Sequence, residues 1–347
     1  MKAIVMYAPR DLRLENREIP EPKEDEVLVK VMAVGVCGSD IPRINEYGAH
    51  VSPIIPGHEF AGEIVEIKGD SEGFAVGDKV VVPPLIPCYK CQYCQMGEYS
   101  LCEDYSYYGS RTDGAFAQYV AVKKKNLLKV PDNVPFDCAA TVDPLANALH
   151  GLKQADFRAG DNVCVYGLGA IGLYMVQAAR AMGANKVAAV DIIDKKLEIS
   201  LENGADQAFN GHAPDVVEQV RQFFGDGADV VVDVTGSPTA QHNAILSAAK
   251  LGRVVFLGIS HKGLQLSEKA VDWIMRGQVT LRGSWNSFSQ PFPGWEWTES
   301  IKLLTEGKVN CESLITHKLP LSEVPSIFES IYKGELYFNK ILFKPWE

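Results

Sequence analysis

Hydrophobic and polar positions alternate over short stretches in the first part of the chain, in EVLVKVMAVGV, AGEIVEI, DKVVVP and AFAQYVAV, with Gly and Pro between them. A two-residue period broken by turn formers predicts short strands in an antiparallel or barrel-like region up to about residue 150. From about residue 160 the period changes. Apolar runs (NVCVYG, KVAAVD, DVVVDVTG, GRVVFLGI) alternate with stretches of helical spacing (AIGLYMVQAARAMG, KKLEISLENG, HNAILSAAK). That alternation predicts βαβ units and a parallel sheet, so the fold class is α/β plus β. A Trp- and Pro-rich segment, WNSFSQPFPGWEW, leads into a mixed tail that closes on a strand-like KILFKP.

A length of 347 residues fits two domains better than one core. Charge narrows the partners: 34 Lys+Arg against 44 Asp+Glu leave a formal charge of −10, which repels nucleic acid and anionic lipid. The opening MKAIVMYAPRDLRLE has too short an apolar run for a signal peptide, so a cytoplasmic location is expected. Residues 162–179 carry no charge, but glycines punctuate them and a strand-like start precedes them, which argues against a membrane span. In a reducing compartment clustered cysteines point to metal rather than disulfides.

Gly167, Gly169 and Gly172 form G-x-G-x-x-G between an apolar strand and an amphipathic helix. The first glycine permits the tight turn, the second lets backbone approach a pyrophosphate, and the third lets helix pack on strand. The next strand ends in Asp191, where a carboxylate would accept hydrogen bonds from the ribose hydroxyls and repel a 2′-phosphate. NAD is therefore expected over NADP. Lys196 either flanks the adenosine or is an exposed helical lysine.

Cys88, Cys91, Cys94 and Cys102 stand as C-x2-C-x2-C-x7-C in a loop containing Pro87 and Gly97. Four thiolates close the tetrahedral shell of a structural zinc; an iron–sulfur cluster is the alternative that four cysteines leave open. A closed shell cannot bind substrate, so the reaction belongs elsewhere. Cys164, inside an apolar run, reads as a packing residue. Cys37 in VGVCGSDIPR, His58 and Glu59 in PGHEFAGEI, and Asp143 in TVDPLANALHG supply one thiolate, one imidazole and carboxylates from separate segments. Such a set can hold a zinc that keeps a position for an alcohol oxygen.

CGSD, GHEFAGEIVEIK, GDKVVV, the four-cysteine loop, DGAFAQYV and a late GLGAIG, in this order, resemble the zinc-dependent medium-chain alcohol and polyol dehydrogenases. The resemblance spans essentially the whole chain. It implies a GroES-like catalytic zinc domain over 1–150, a Rossmann NAD-binding domain over 151–285 and a return to the catalytic domain over 286–347. It further implies catalytic zinc on Cys37 and His58, structural zinc on the cysteine loop, Glu59 at or near the catalytic metal, and Ser39 starting a proton relay. Glu59 as a supporting charge and Ser39 as a turn hydroxyl are the plainer alternatives. Asp143 departs from the glutamate more usual at the matching position; being one methylene shorter, it ligates only if the backbone moves in, or acts through water. A homodimer or homotetramer, using the Rossmann edge, is implied as well.

The implied reaction is NAD-dependent oxidation of a secondary alcohol of a sugar-alcohol phosphate, such as galactitol 1-phosphate, to a ketose phosphate. Arabitol phosphate, a free polyol or diol, and a threonine-like substrate are the competing readings. A phosphate needs cations, for which Arg43 and Arg111 are candidates, with His50 adding a polar contact. The bland reading puts both arginines in surface ion pairs.

Overall fold

The strand Glu26–Gly35 organises the first half of the molecule. In this computed structural model, which describes all residues from Met1 to Glu347, it pairs antiparallel with Glu59–Ile67, with Tyr119–Lys123 and with Lys340–Lys344. The seven-stranded sheet runs from Ile315–Pro320 through Lys340–Lys344, Glu26–Gly35, Glu59–Ile67 and Lys79–Val81 to Leu128–Lys129, with Tyr119–Lys123 as the seventh strand, off this path beside Glu26–Gly35. Val27, Val29, Val31, Ile64, Val80, Phe116, Val120, Phe328, Ile341 and Phe343 fill its core. The period-two apolar residues thus do what their spacing predicts.

This sheet belongs to a compact unit made of Met1–Asp143, Phe288–Thr305 and Leu314–Glu347. The aromatic segment after residue 287 is part of it: Phe288 stacks on both Phe292 and Trp297, and Phe288 and Trp297 are each 1% exposed.

A second unit, Pro144–Ser287 with Glu306–Ser313, holds a six-stranded parallel sheet. Its strand order is Gln207–Asn210, Lys186–Asp191, Asn162–Tyr166, Ala228–Asp233, Ala248–Phe256, Thr280–Gly283, the doubly wound 3-2-1-4-5-6 order. Every pairing is parallel. The uncharged run at 162–179 is explained here. Asn162–Tyr166 is a central strand, and the helix Ala170–Ala181 buries Gly172 through Ala179. Twelve helical residues reach about 18 Å, short of a bilayer core. No helix of the chain is long and apolar enough to cross a membrane. Cys164 is fully buried in the core of this sheet.

One expected element shifts. The helical stretch HNAILSAAK stops at Ser247, and Ala248–Lys250 already belong to a strand. Ala248 pairs with Ala228 there, so sheet pairing overrides the helix preference of two alanines.

Candidate metal and dinucleotide sites

Strand register explains how segments distant in sequence meet. Gly35 opposes Glu59 and Val34 opposes Phe60, so the chain leaving one strand runs beside the chain entering the other. Cys37 and His58 occupy those two extensions. The ligand atoms of Cys37, His58 and Glu59 all lie within 4.8 Å of one another. A third strand closes in because Leu342 opposes Gly35, which brings Lys340 alongside. Lys340 is 2% exposed; its ammonium donates to the Val36 carbonyl at 2.9 Å and pairs with Glu59 Oε2. Glycine at 35 makes room for that carboxylate, since a Cβ there would approach Glu59 Oε2 to 2.9 Å.

Asp40, fully buried, orients both ligands: its Oδ2 accepts from the Cys37 backbone N–H at 3.1 Å, and its Oδ1 faces His58 Nδ1 at 3.3 Å. An imidazole held at Nδ1 by a carboxylate presents Nε2 to a metal, with the tautomer fixed. The Ser39 hydroxyl donates to Cys37 Sγ at 3.2 Å. Tyr107 meets the His58 ring edge-on, with centroids 5.5 Å apart and planes at 69°. Asp143 is buried in the first turn of the helix Val142–Gln154 and stands outside the 4.8 Å set.

The donor set fits a divalent cation. Burial opposes charge on His58, yet Asp40 and Cys37 hold its pKa well above the ordinary imidazole value. Burial, then Glu59, pushes the Asp143 carboxyl up to about 7. Burial, then Asp143 and Cys37, raises the Tyr107 phenol well above its usual range. All three shifts have one source, an excess of negative groups in a place with little water, and a bound Zn²⁺ removes that excess.

The four loop cysteines form a separate cluster, again with all sulfurs within 4.8 Å. Cys88 Sγ and Cys94 Sγ are 3.9 Å apart. Zinc with Zn–S bonds of about 2.3 Å holds its sulfurs about 3.8 Å apart, so the loop is shaped for that ion. Backbone N–H groups of Cys88 and Cys91 donate to Cys102 Sγ and Cys88 Sγ at 3.2 and 3.4 Å. The rings of Tyr89 and Tyr99 both meet Phe292 edge-on, which ties the loop to the aromatic segment.

In the parallel-sheet unit Gly167 takes φ +95°, and a Cβ on Gly172 would lie 1.8 Å from the Gly167 carbonyl oxygen. Turn and helix therefore touch, as the third glycine of the motif requires. A Cβ on Gly169 would meet nothing within 4 Å, so the turn opens onto free space at the N-terminus of the helix Ala170–Ala181. This is the cradle a pyrophosphate needs. Asp191 ends its strand and accepts from Leu168 N–H at 2.7 Å and Ile193 N–H at 3.0 Å. Each oxygen keeps a lone pair for a ribose hydroxyl. Lys196 is half-buried in the following helix Asp194–Glu202.

The cationic candidates also gather. His50 N–H donates to the Ser110 carbonyl at 3.3 Å, beside Arg111. Burial, then Arg111 and Arg43, lowers the His50 pKa. Arg43 also acts on Asp40, which links this cluster to the metal-ligand segment. The Arg111 guanidinium lies over the Tyr105 ring at 4.6 Å, and its Nε is buried without a hydrogen-bond partner.

Sequence reasoning missed Asp40, Lys340 and Tyr107. Asp40 had a signal, an acid three residues after Cys37. Lys340 had a weak one, a lone cation opening an apolar strand. Tyr107 had none, because its place beside His58 depends on the pairing of Ser106–Tyr107 with Leu85–Ile86.

Comparison with known proteins agrees with this architecture. Residues 23–132 match the alcohol dehydrogenase GroES-like domain and residues 170–305 match the zinc-binding dehydrogenase family. The chain belongs to the zinc-binding medium-chain alcohol and polyol dehydrogenases, enzymes that act on CH–OH groups with zinc and NAD(H). Galactitol 1-phosphate 5-dehydrogenase of Escherichia coli K12 is 37% identical over 322 residues, 92% of each chain. Sorbitol dehydrogenase of Bacillus subtilis 168 is 31% identical over 353 residues, 99% of this chain and 97% of that one. The crystal structure of galactitol-1-phosphate dehydrogenase from Escherichia coli superposes with a TM-score of 0.95 at 35% identity, covering 99% of this chain and 100% of the other.

Proposed function

We propose that the enzyme oxidises a secondary hydroxyl of a sugar-alcohol phosphate of the galactitol 1-phosphate type to the ketose phosphate. The observation that carries the phosphate is Arg111, whose Nε is buried and lacks an acceptor while Arg43 and His50 stand close by. A buried donor without a partner costs about 1–3 kcal/mol, which an anionic oxygen would recover.

Within this reading Cys37 and His58 hold the catalytic metal, with Glu59 or Asp143 completing the shell. When bound, zinc supplies a Lewis acid for the substrate oxygen and NAD supplies the hydride acceptor. Asp40 fixes the His58 ring. Lys340 keeps one Glu59 oxygen occupied, so Glu59 offers the other. Ser39 would accept the hydroxyl proton while giving up its own to solvent, as hydride leaves the same carbon. Gly167, Gly169 and Gly172 receive the pyrophosphate, Asp191 the ribose, and Lys196 flanks the adenosine. The functional domains are read as 1–150, 151–285 and 286–347, although by packing the first unit ends at Asp143 and Glu306–Ser313 belong to the second; the enzyme works in the cytoplasm.

The test is NADH formation on matched free and phosphorylated alditols. Phosphorylated galactitol is expected to give the higher kcat/KM, and Arg111→Ala to raise its KM roughly ten- to a hundredfold while sparing free alditols. Equal rates on free and phosphorylated alditols would instead favour a free polyol, the substrate class named for the Bacillus relative.

We infer a homodimer, or a tetramer built from dimers, through the edge strand Thr280–Gly283. All four of its residues are exposed, and Val271 and Met275 on the neighbouring helix are 45% and 65% exposed. An open edge beside apolar side chains invites pairing with a second copy. Sedimentation should give at least twice the 38.0 kDa of one chain; a monomer at micromolar concentration would refute it.

A further inference from the structure

Tyr107 places a phenol beside His58. It sits in the two-residue strand Ser106–Tyr107, with its ring edge-on to His58 and its charge partners being Asp143, Cys37, Glu59 and Asp40. Several neighbouring groups are already engaged: Ser39 on Cys37 Sγ, Asp40 on Cys37 N–H and His58, Glu59 on Lys340. Tyr107 is half-buried, and its hydroxyl has no hydrogen-bond partner within the chain while keeping access to solvent, so it is free to bond a ligand.

We propose that Tyr107 is a specificity-determining residue whose hydroxyl hydrogen-bonds the substrate hydroxyl on the carbon next to the reacting one. This rests on the reading that Cys37 and His58 hold the metal that binds the reacting hydroxyl. A neutral phenol donates one hydrogen bond and accepts others, so it matches a neighbouring alcohol in either sense. The local chain supports the assignment. Tyr105, two residues and about 7 Å of extended chain away, carries the Arg111 guanidinium. One short segment therefore presents a group to the diol at the metal and a cation to the far end of the substrate. A site with a hydroxyl reader rejects the analogue lacking that hydroxyl, because its own polar group is then left unpaired.

The probes are butane-2,3-diol and butan-2-ol, which differ by one hydroxyl. The wild-type enzyme is expected to prefer the diol. Tyr107→Phe should lower kcat/KM for the diol roughly ten- to a hundredfold, mostly through KM, and leave butan-2-ol within about twofold. Zinc content and NADH affinity of the variant should match the wild type. An equal loss on both alcohols, no loss on either, or a wild type that does not prefer the diol would each overturn the proposal. Tyr107→Leu, which also removes the ring from His58, should lower both rates; if it too affects only the diol, the hydroxyl alone is the reader and the proposal stands. Neither probe carries phosphate, so a failed phosphate preference leaves this test intact, and a wrongly assigned metal site shows up separately as activity surviving in Cys37→Ser.

Discussion

Cys37→Ser is expected to lower turnover by about a thousandfold or more while leaving NADH binding unchanged. The thiolate shares a 4.8 Å cluster with His58 and Glu59, and both Ser39 and Asp40 converge on its residue. A serine hydroxyl has nearly the same shape but is a neutral, poor zinc ligand, so the catalytic metal should be lost. Losing a Lewis acid removes several kcal/mol of transition-state stabilisation, and each 1.36 kcal/mol is a factor of ten. The glycine turn and Asp191 form their contacts entirely within the other unit, which is why NADH fluorescence titration should not change. Turnover within tenfold of wild type would show that Cys37 is a packing residue.

Cys91→Ser should behave in the opposite way, sparing the chemistry and weakening the fold. The loop around it has little apolar substance to bury: Tyr89, Met96 and Leu101 are 40%, 69% and 50% exposed. Four sulfurs gathered on one point replace the missing core, and structural zinc contributes about 10–16 kcal/mol of apparent binding energy in small zinc domains. If only about 5 kcal/mol of that stabilises this unit, the melting temperature should fall by roughly 10 °C, since about 2 °C follows each kcal/mol in a chain of this size. Calorimetry with zinc analysis should show a lower Tm and one zinc fewer, with kcat per folded molecule close to wild type. An unchanged Tm would mean that the loop is ordered by its aromatic contacts to Phe292 alone.

The elements with a strong period were legible from sequence. Alternation in EVLVKVMAVGV and the strand–glycine–helix texture around Gly167 translate directly into the two sheets, because one period determines which face is buried. The candidate ligand types that the structure gathers were legible too, since thiolate, imidazole and carboxylate are few and their chemistry is narrow. Register was not. That Gly35 opposes Glu59, and Leu342 opposes Gly35, depends on pairings between segments far apart in the chain. Lys340 and Tyr107 reach the site only through such pairings, and nothing local distinguishes them. Asp143 shows the same limit: its residue type suited a ligand, but it stands outside the tight Cys37–His58–Glu59 group.

The central claim is that the reaction uses the metal at Cys37 and His58 and not the one in the cysteine loop. Stepwise chelation, with zinc per chain measured by mass spectrometry alongside the rate of NADH formation, tests it directly. The two-site account predicts two zinc ions per chain at full activity and a rate that falls to zero as the count falls from two to one, with the loop keeping the last ion. Full activity at one zinc per chain, with the loop metal the one retained, would contradict it.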